Sequence, residues 1–155
     1  MAGWNDVRRI ALALPETSEQ TKFGQAAWCV RDAMFVWERP LRRSDLEALG
    51  EAAPKGPILG VRVPSLLAKE ALLASRPKWC FTTPHFNGYP AVLVRLDAVR
   101  AADLEELIVE AWLARAPKRV ASAYVEASRP KGAPDRGRRR APATSRARTG
   151  TRRTT

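Results

Sequence analysis

Apolar residues first recur every three to four positions: Trp4, Val7, Ile10, Ala11 and Leu14. That spacing predicts a helix over roughly Asn5 to Leu14, stopped by Pro15. The polar run Glu16 to Gly24 reads as a loop. Two strand-like runs follow, Ala26 to Arg31 and Ala33 to Arg39, with Asp32 between them as the turn of a hairpin. Leu41 to Gly60 is less regular. Ser44 with Glu47 makes a capping-box pattern ahead of Leu46 and Leu49, which predicts a short helix ended by Gly50. Pro54, Gly56 and Pro57 then form a loop, and Ile58 to Val63 a third strand. Pro64 and Ser65 open a helix whose apolar content is Leu66, Leu67, Leu72 and Leu73, closed by Pro77. Trp79 to Thr83 reads as a fourth strand, Pro84 to Pro90 as a turn and Ala91 to Leu96 as a fifth strand.

The clearest helix follows. Leu104, Leu107, Ile108, Ala111 and Trp112 lie at i, i+3, i+4, i+7 and i+8, one continuous face. Asp103, Glu105 and Glu106 in its first turn and Arg115 in its last match the helix dipole. Pro117 ends it, and a last short helix, about Lys118 to Ala127, carries Val120, Ala123 and Tyr124. The order is helix, three strands, helix, two strands, helix. It predicts an α+β fold: a two-layer domain over residues 1–128, with a mainly antiparallel five-stranded sheet covered on one face by helices.

Charge changes the picture beyond residue 128. Between Arg129 and Thr155 there are ten Lys or Arg and one acid, Asp135, a net of +9 out of +11 for the chain. The same stretch holds no Val, Ile, Leu, Met, Phe, Tyr, Trp or Cys. Such a segment cannot bury enough apolar surface to offset the entropy of ordering, so 129–155 is expected to be a disordered basic tail. A near-neutral domain with a cationic arm points to a polyanion. The tail arginines Arg136, Arg138, Arg139, Arg140, Arg146, Arg148, Arg152 and Arg153 are the expected phosphate contacts. Without an aromatic residue the tail cannot stack on bases, so it contributes affinity and not sequence reading.

Within the domain, Pro117 favours the first position of a helix. Lys118 and Arg119 then fall where the dipole is positive, an unfavourable place unless an anion sits there. Arg39, Arg42, Arg43, Lys55 and Arg62 lie on or beside the second and third strands, and of these Arg42, Arg43 and Arg62 are candidate phosphate contacts. A second cluster, Thr82-Thr83-Pro84-His85-Phe86-Asn87-Gly88-Tyr89-Pro90, holds the chain's one histidine in a rigid turn. Thr82, His85, Phe86 and Tyr89 are the candidate wall of a small-ligand or protein-interaction pocket. His85 with Cys80 as nucleophile would make an enzyme, but no orienting acid stands near them in sequence and no Gly-x-Ser-x-Gly elbow exists. No catalytic residue, metal ligand set or cofactor is therefore assigned. The phosphate-loop pattern G-x-x-x-x-G-K-[ST] is absent. Cys29 and Cys80, far apart, read as buried free thiols. No run approaches a membrane span, and the first residues show no export signal, so the expected compartment is the cytoplasm.

Several phrases, in order, resemble the MmcQ/YjbR family: Leu14-Pro15-Glu16, Lys22-Phe23-Gly24, Thr82 to Phe86, Gly88 to Val94, and Ala116-Pro117-Lys118-Arg119. The resemblance covers about residues 4–127. It implies a compact α+β domain and DNA binding, by structural analogy to a double-wing DNA-binding domain of a phage transcription activator. It brings no catalytic residues, and it maps the family's recurrent basic pair onto Lys118 and Arg119. The stretch Leu41 to Pro57 departs from the shorter family pattern and would lengthen one wing or loop. The expectation is a non-enzymatic protein that binds DNA, or RNA, through phosphates.

Overall fold

A computed structural model of the chain describes residues 2–128. In chain order the elements are α1 (Trp4–Leu12), β1 (Thr17–Lys22), β2 (Gln25–Val30), β3 (Ala33–Glu38), α2 (Arg43–Leu49), β4 (Ile58–Arg62), α3 (Leu66–Ser75), β5 (Cys80–Phe81), β6 (Ala91–Arg95), α4 (Ala101–Arg115) and α5 (Lys118–Ser128). Short 3-10 turns occupy Gly50–Ala52 and Pro84–Phe86. The strands form one sheet in the order β1-β2-β3-β4-β6-β5, and every neighbouring pair is antiparallel. The fold is α+β. A first compact unit ends at Ala121, and a second begins at Ser122.

The helical face read from the sequence is the one that buries: Leu104, Leu107, Ile108, Ala111 and Trp112 are all inside. α4 packs on β3 and β4, and α1 packs on α4, β1 and β2. Val36, Val61 and Val92 stand side by side across β3, β4 and β6, each fully buried. Two tryptophans lock the connections. Trp4 stacks on Trp28 at 6.4 Å between ring centroids, and Trp112 Nε1 donates to the Pro15 carbonyl at 3.1 Å.

Side chains alternate along a strand, so the neighbouring row faces the other way. That row is Trp37, Gly60, Leu93 and Phe81. Ile58, Ala91, Leu93 and Phe86 form a buried cluster there, joined by Trp37, Leu41 and Phe81. Gly60 lets the Trp37 indole lie flat on the sheet. A Cβ at position 60 would stand 2.3 Å from Trp37 Cε2. Gly60→Ala should therefore cost about 1–3 kcal/mol by overpacking. The expected result is a melting temperature several degrees lower; an unchanged melting curve would mean the ring moves freely.

The structure corrects the sequence reading at several points. Thr17–Lys22, expected within a loop, is edge strand β1, so the sheet has six strands and not five. An edge strand with one solvated face can be wholly polar, and Glu19 is held there by Arg8 at 2.8 Å and Trp28 Nε1 at 3.1 Å. The short helix α2 begins earlier than its expected Ser44 cap. The Arg42 amide donates to Asp45 Oδ2 at 2.9 Å, so Asp45, not Glu47, closes its first turn. The fourth expected strand shrinks to Cys80–Phe81, and Trp79 and Cys80 are both buried. In α3 the inward residue is Lys69, while Leu67 is 77% exposed. Pro117 precedes α5 rather than opening it: its carbonyl accepts the Ala121 amide at 2.9 Å.

Candidate functional site

A cavity of about 630 Å³ opens between the β1–β2 hairpin, the start of α2 and the turn His85–Tyr89. Its apolar surface comes from Ala26, Ala27, Met34, Trp37, Leu41 and Phe86. Lys22, Arg39 and Arg42 supply cations, and Glu38 the acid, with one of its oxygens taken by the Ala26 amide at 3.3 Å. Gln25 and Asn87 add amides. Phe23 at the hairpin tip is 93% exposed.

Two buried cations fix the turn that forms one wall. Lys69 of α3 donates through Nζ to the carbonyls of Phe86 at 2.5 Å and Tyr89 at 2.9 Å. Burial pulls the Lys69 ammonium below its ordinary value, with the nearby Cys80 acting the other way. Arg39 lies 5.2 Å over the Phe86 ring. Its Nη1 donates to the Pro40 carbonyl, and its Nη2 is 3.0 Å from Asp45 Oδ2. The Asp45 side chain is almost completely buried. Burial pushes the Asp45 carboxyl up, but the Arg42 amide, the Arg39 charge and the Thr83 hydroxyl outweigh it, so it titrates below the usual range. The buried Thr83 hydroxyl and Arg39 Nη2 make no hydrogen bond of full geometry.

The structure brings His85, Phe86 and Tyr89 to one cavity. His85 is exposed and sits edge-on to Phe86 at 4.9 Å, and Tyr89 is tilted against Phe86 at 6.2 Å. Thr82 is half-buried and does not line the cavity; its hydroxyl donates to the Thr83 carbonyl at 3.5 Å. Cys80 is 3% exposed, and burial pushes its thiol up to about 12, with Lys69 its one charged neighbour acting the other way. Cys29 is likewise buried, and burial raises its thiol. Neither has the exposure and lowered pKa that a nucleophilic thiol needs. Iodoacetamide at pH 8 should label neither cysteine in the folded protein and both in urea, read by intact mass. Rapid labelling of one thiol without urea would contradict the packing around it. Among the described residues no cluster of three or more His, Cys, Asp or Glu is placed to hold a metal, and no helix is long and apolar enough to cross a membrane.

The expected phosphate contacts have separate surroundings. Arg42 and Arg43 are exposed at the start of α2, Arg42 on the cavity rim. Arg62 is engaged: its guanidinium stacks on Tyr89 at 4.9 Å and its Nη1 donates to the Tyr89 hydroxyl at 2.9 Å. Lys118 and Arg119 are exposed in the first turn of α5. Arg119 helps hold Glu16 below the usual carboxylate range, after the stronger hydrogen bond to Glu16 from Arg31. The tail arginines 136, 138, 139, 140, 146, 148, 152 and 153 lie outside the described residues. Sequence reasoning missed Lys69, Asp45 and the cavity role of Trp37. Lys69 stands among the leucines of α3 with no motif around it. The one available signal was Gly60, a glycine inside a strand, which often marks close approach of another group.

The antiparallel sheet, its packed helices and a loop-walled cavity define a small α+β domain. A model of the YjbR family matches residues 12–114, and the chain belongs to that family. Lys118 and Arg119 fall just beyond the matched span. The uncharacterised protein Mb2600 of Mycobacterium bovis is 52% identical over 128 residues, which cover 81% of this chain and 97% of the relative. The same figures hold for the uncharacterised protein Rv2570 of Mycobacterium tuberculosis. About a fifth of this chain thus has no counterpart in those relatives. Among solved structures, the crystal structure of Deinococcus radiodurans protein DR2400, domain DUF419, has the same fold. It superposes with a TM-score of 0.55 at 22% identity, covering 73% of this chain and 78% of the other.

Proposed function

We propose that the protein binds nucleic acid, DNA or RNA, through its phosphates and does no chemistry on it. The observation that carries this reading is the segregation of charge: +9 of the net +11 lies in residues 129–155, directly after a helix that opens with Lys118 and Arg119. Pro117 has no side-chain acceptor for the first-turn amides of α5, so a phosphate there would meet free N–H groups and two exposed cations. Arg42 and Arg43 offer further exposed charge at α2.

The test is fluorescence anisotropy on a labelled duplex across a salt series, comparing residues 1–155 with 1–128. Each phosphate neutralised adds about −0.9 to the slope of log affinity against log salt. Removing ten cations should flatten that slope by several units and weaken binding by orders of magnitude at low salt. Lys118→Ala with Arg119→Ala should flatten the residual slope of 1–128 by about 1–2. Equal affinity of the two lengths, or binding indifferent to salt, would sink the reading.

The cavity favours a second reading, a ligand-binding domain. Its volume is within the range of small-molecule sites, its walls mix apolar surface with a few polar groups, and the turn beside it is pinned from two sides.

A further inference from the structure

The β1–β2 hairpin has two residues in its turn, Phe23 and Gly24, between the paired Lys22 and Gln25. Both have positive φ, 55° and 77°. Asn-Gly suits such a turn, because asparagine tolerates the left-handed region and a bulky side chain does not. Phenylalanine is therefore strained there, and it is 93% exposed, so its ring gains almost no burial in return. An apolar ring held out at the rim of a cavity, at a conformational cost, is accounted for by an occupant that covers it.

The occupant can be read from the walls. Phe23, Trp37 and Tyr89 offer aromatic surface, which suits a planar ring. Gln25 and Asn87 offer amides able to donate to and accept from ring nitrogens and oxygens. Lys22 and Arg42 are cations with no carboxylate partner among the ion pairs of the described residues, whereas Arg39 is committed to Asp45. Glu38 lines the cavity with its carboxylate at the Ala26 amide, so a negative group would be repelled from there and favoured at Lys22 and Arg42. The anion therefore goes to Lys22 and the exposed Arg42, and the ring to the aromatic walls.

We propose that this cavity binds a nucleotide: a heteroaromatic ring against Phe23 and Trp37, with its phosphate at Lys22 and Arg42. A free mononucleotide and a base splayed from a single strand present the same chemistry. The proposal rests on reading the cavity as a ligand site, and is separate from duplex binding by residues 129–155.

The experiment is calorimetric titration of the full-length protein with each of the four ribonucleoside monophosphates, with mixed-sequence single-stranded decamers, and with inorganic phosphate. Phe23→Ala and Arg42→Ala are compared with the parent; both residues are exposed, so melting temperatures should match. Saturable binding of at least one mononucleotide, weakened tenfold or more in both variants, supports the free nucleotide as the source. Saturable binding of the single strand alone, with the same loss, supports the polymer. Duplex affinity measured in the same proteins should be unchanged by Phe23→Ala, which keeps a failure here distinct from a failure of the tail reading. Inorganic phosphate binding as tightly as the nucleotides, no saturable binding of any probe, or binding indifferent to both substitutions would overturn the proposal.

Discussion

Asp45→Ala is expected to cost about 3–5 kcal/mol, because it leaves the Arg39 guanidinium charged and buried without a counter-ion. It also removes the acceptor of the Arg42 amide at the start of α2. For a domain of this size that is a fall of roughly ten degrees or more in melting temperature. The double variant Asp45→Ala with Arg39→Met should recover part of the loss, since a buried pair replaced by apolar groups is often neutral. A single variant that melts with the parent would show that water reaches Arg39.

The same carboxylate sets an acid limb. Asp45, Asp6, Glu16 and Glu19 all titrate below their ordinary values. Unfolded, each would bind a proton at a higher pH than it does folded. Their contribution is therefore complete above the ordinary carboxylate range and is lost as pH falls through the lowered, folded-state values. Only Asp45 is buried among these four, so Asp45→Asn should flatten the loss of stability below about pH 4 more than Asp6→Asn does. Urea midpoints between pH 3 and 6 read this directly.

Lys69→Met is expected to cost about 2–4 kcal/mol. Two carbonyls, of Phe86 and Tyr89, lose a shared charged donor, and a buried acceptor left unmade costs about 1–3 kcal/mol. Methionine fills the same space and no longer pays for burying an ammonium, which holds the loss below the sum of the two. The turn should loosen with it, so proteolysis between Phe86 and Tyr89 should accelerate in the variant. If stability falls but the turn stays protected, the clamp lies elsewhere, with Arg39 over Phe86 the alternative.

Periodicity made much of this fold legible. α4 was visible because five buried residues share one face, and β2, β3, β4 and β6 because continuous apolar runs bury on both sides of a sheet. The YjbR resemblance rested on phrases that carry several cavity residues: Lys22 and Phe23, His85 and Phe86, and Gly88 and Tyr89. β1 was not visible. Its alternation is polar on polar, and it is a strand because β2 offers it an unpaired edge.

Read without coordinates, the chain already yields the α+β class, the family, the helix that covers the sheet and the separation of net charge into the last 27 residues. These follow from local spacing and composition, which no folding step alters. Tertiary structure alone decided which charges are buried. Arg39, Asp45 and Lys69 are charged, yet each is inside, where the low dielectric forces it onto a partner: Arg39 and Asp45 onto each other, Lys69 onto the carbonyls of Phe86 and Tyr89. Those pairings hold a turn near residue 86 against segments near residues 39 and 69. Only the folded chain brings Phe23, Trp37 and His85 around one cavity, since side chains that far apart in sequence share a site only through the register of the sheet between them.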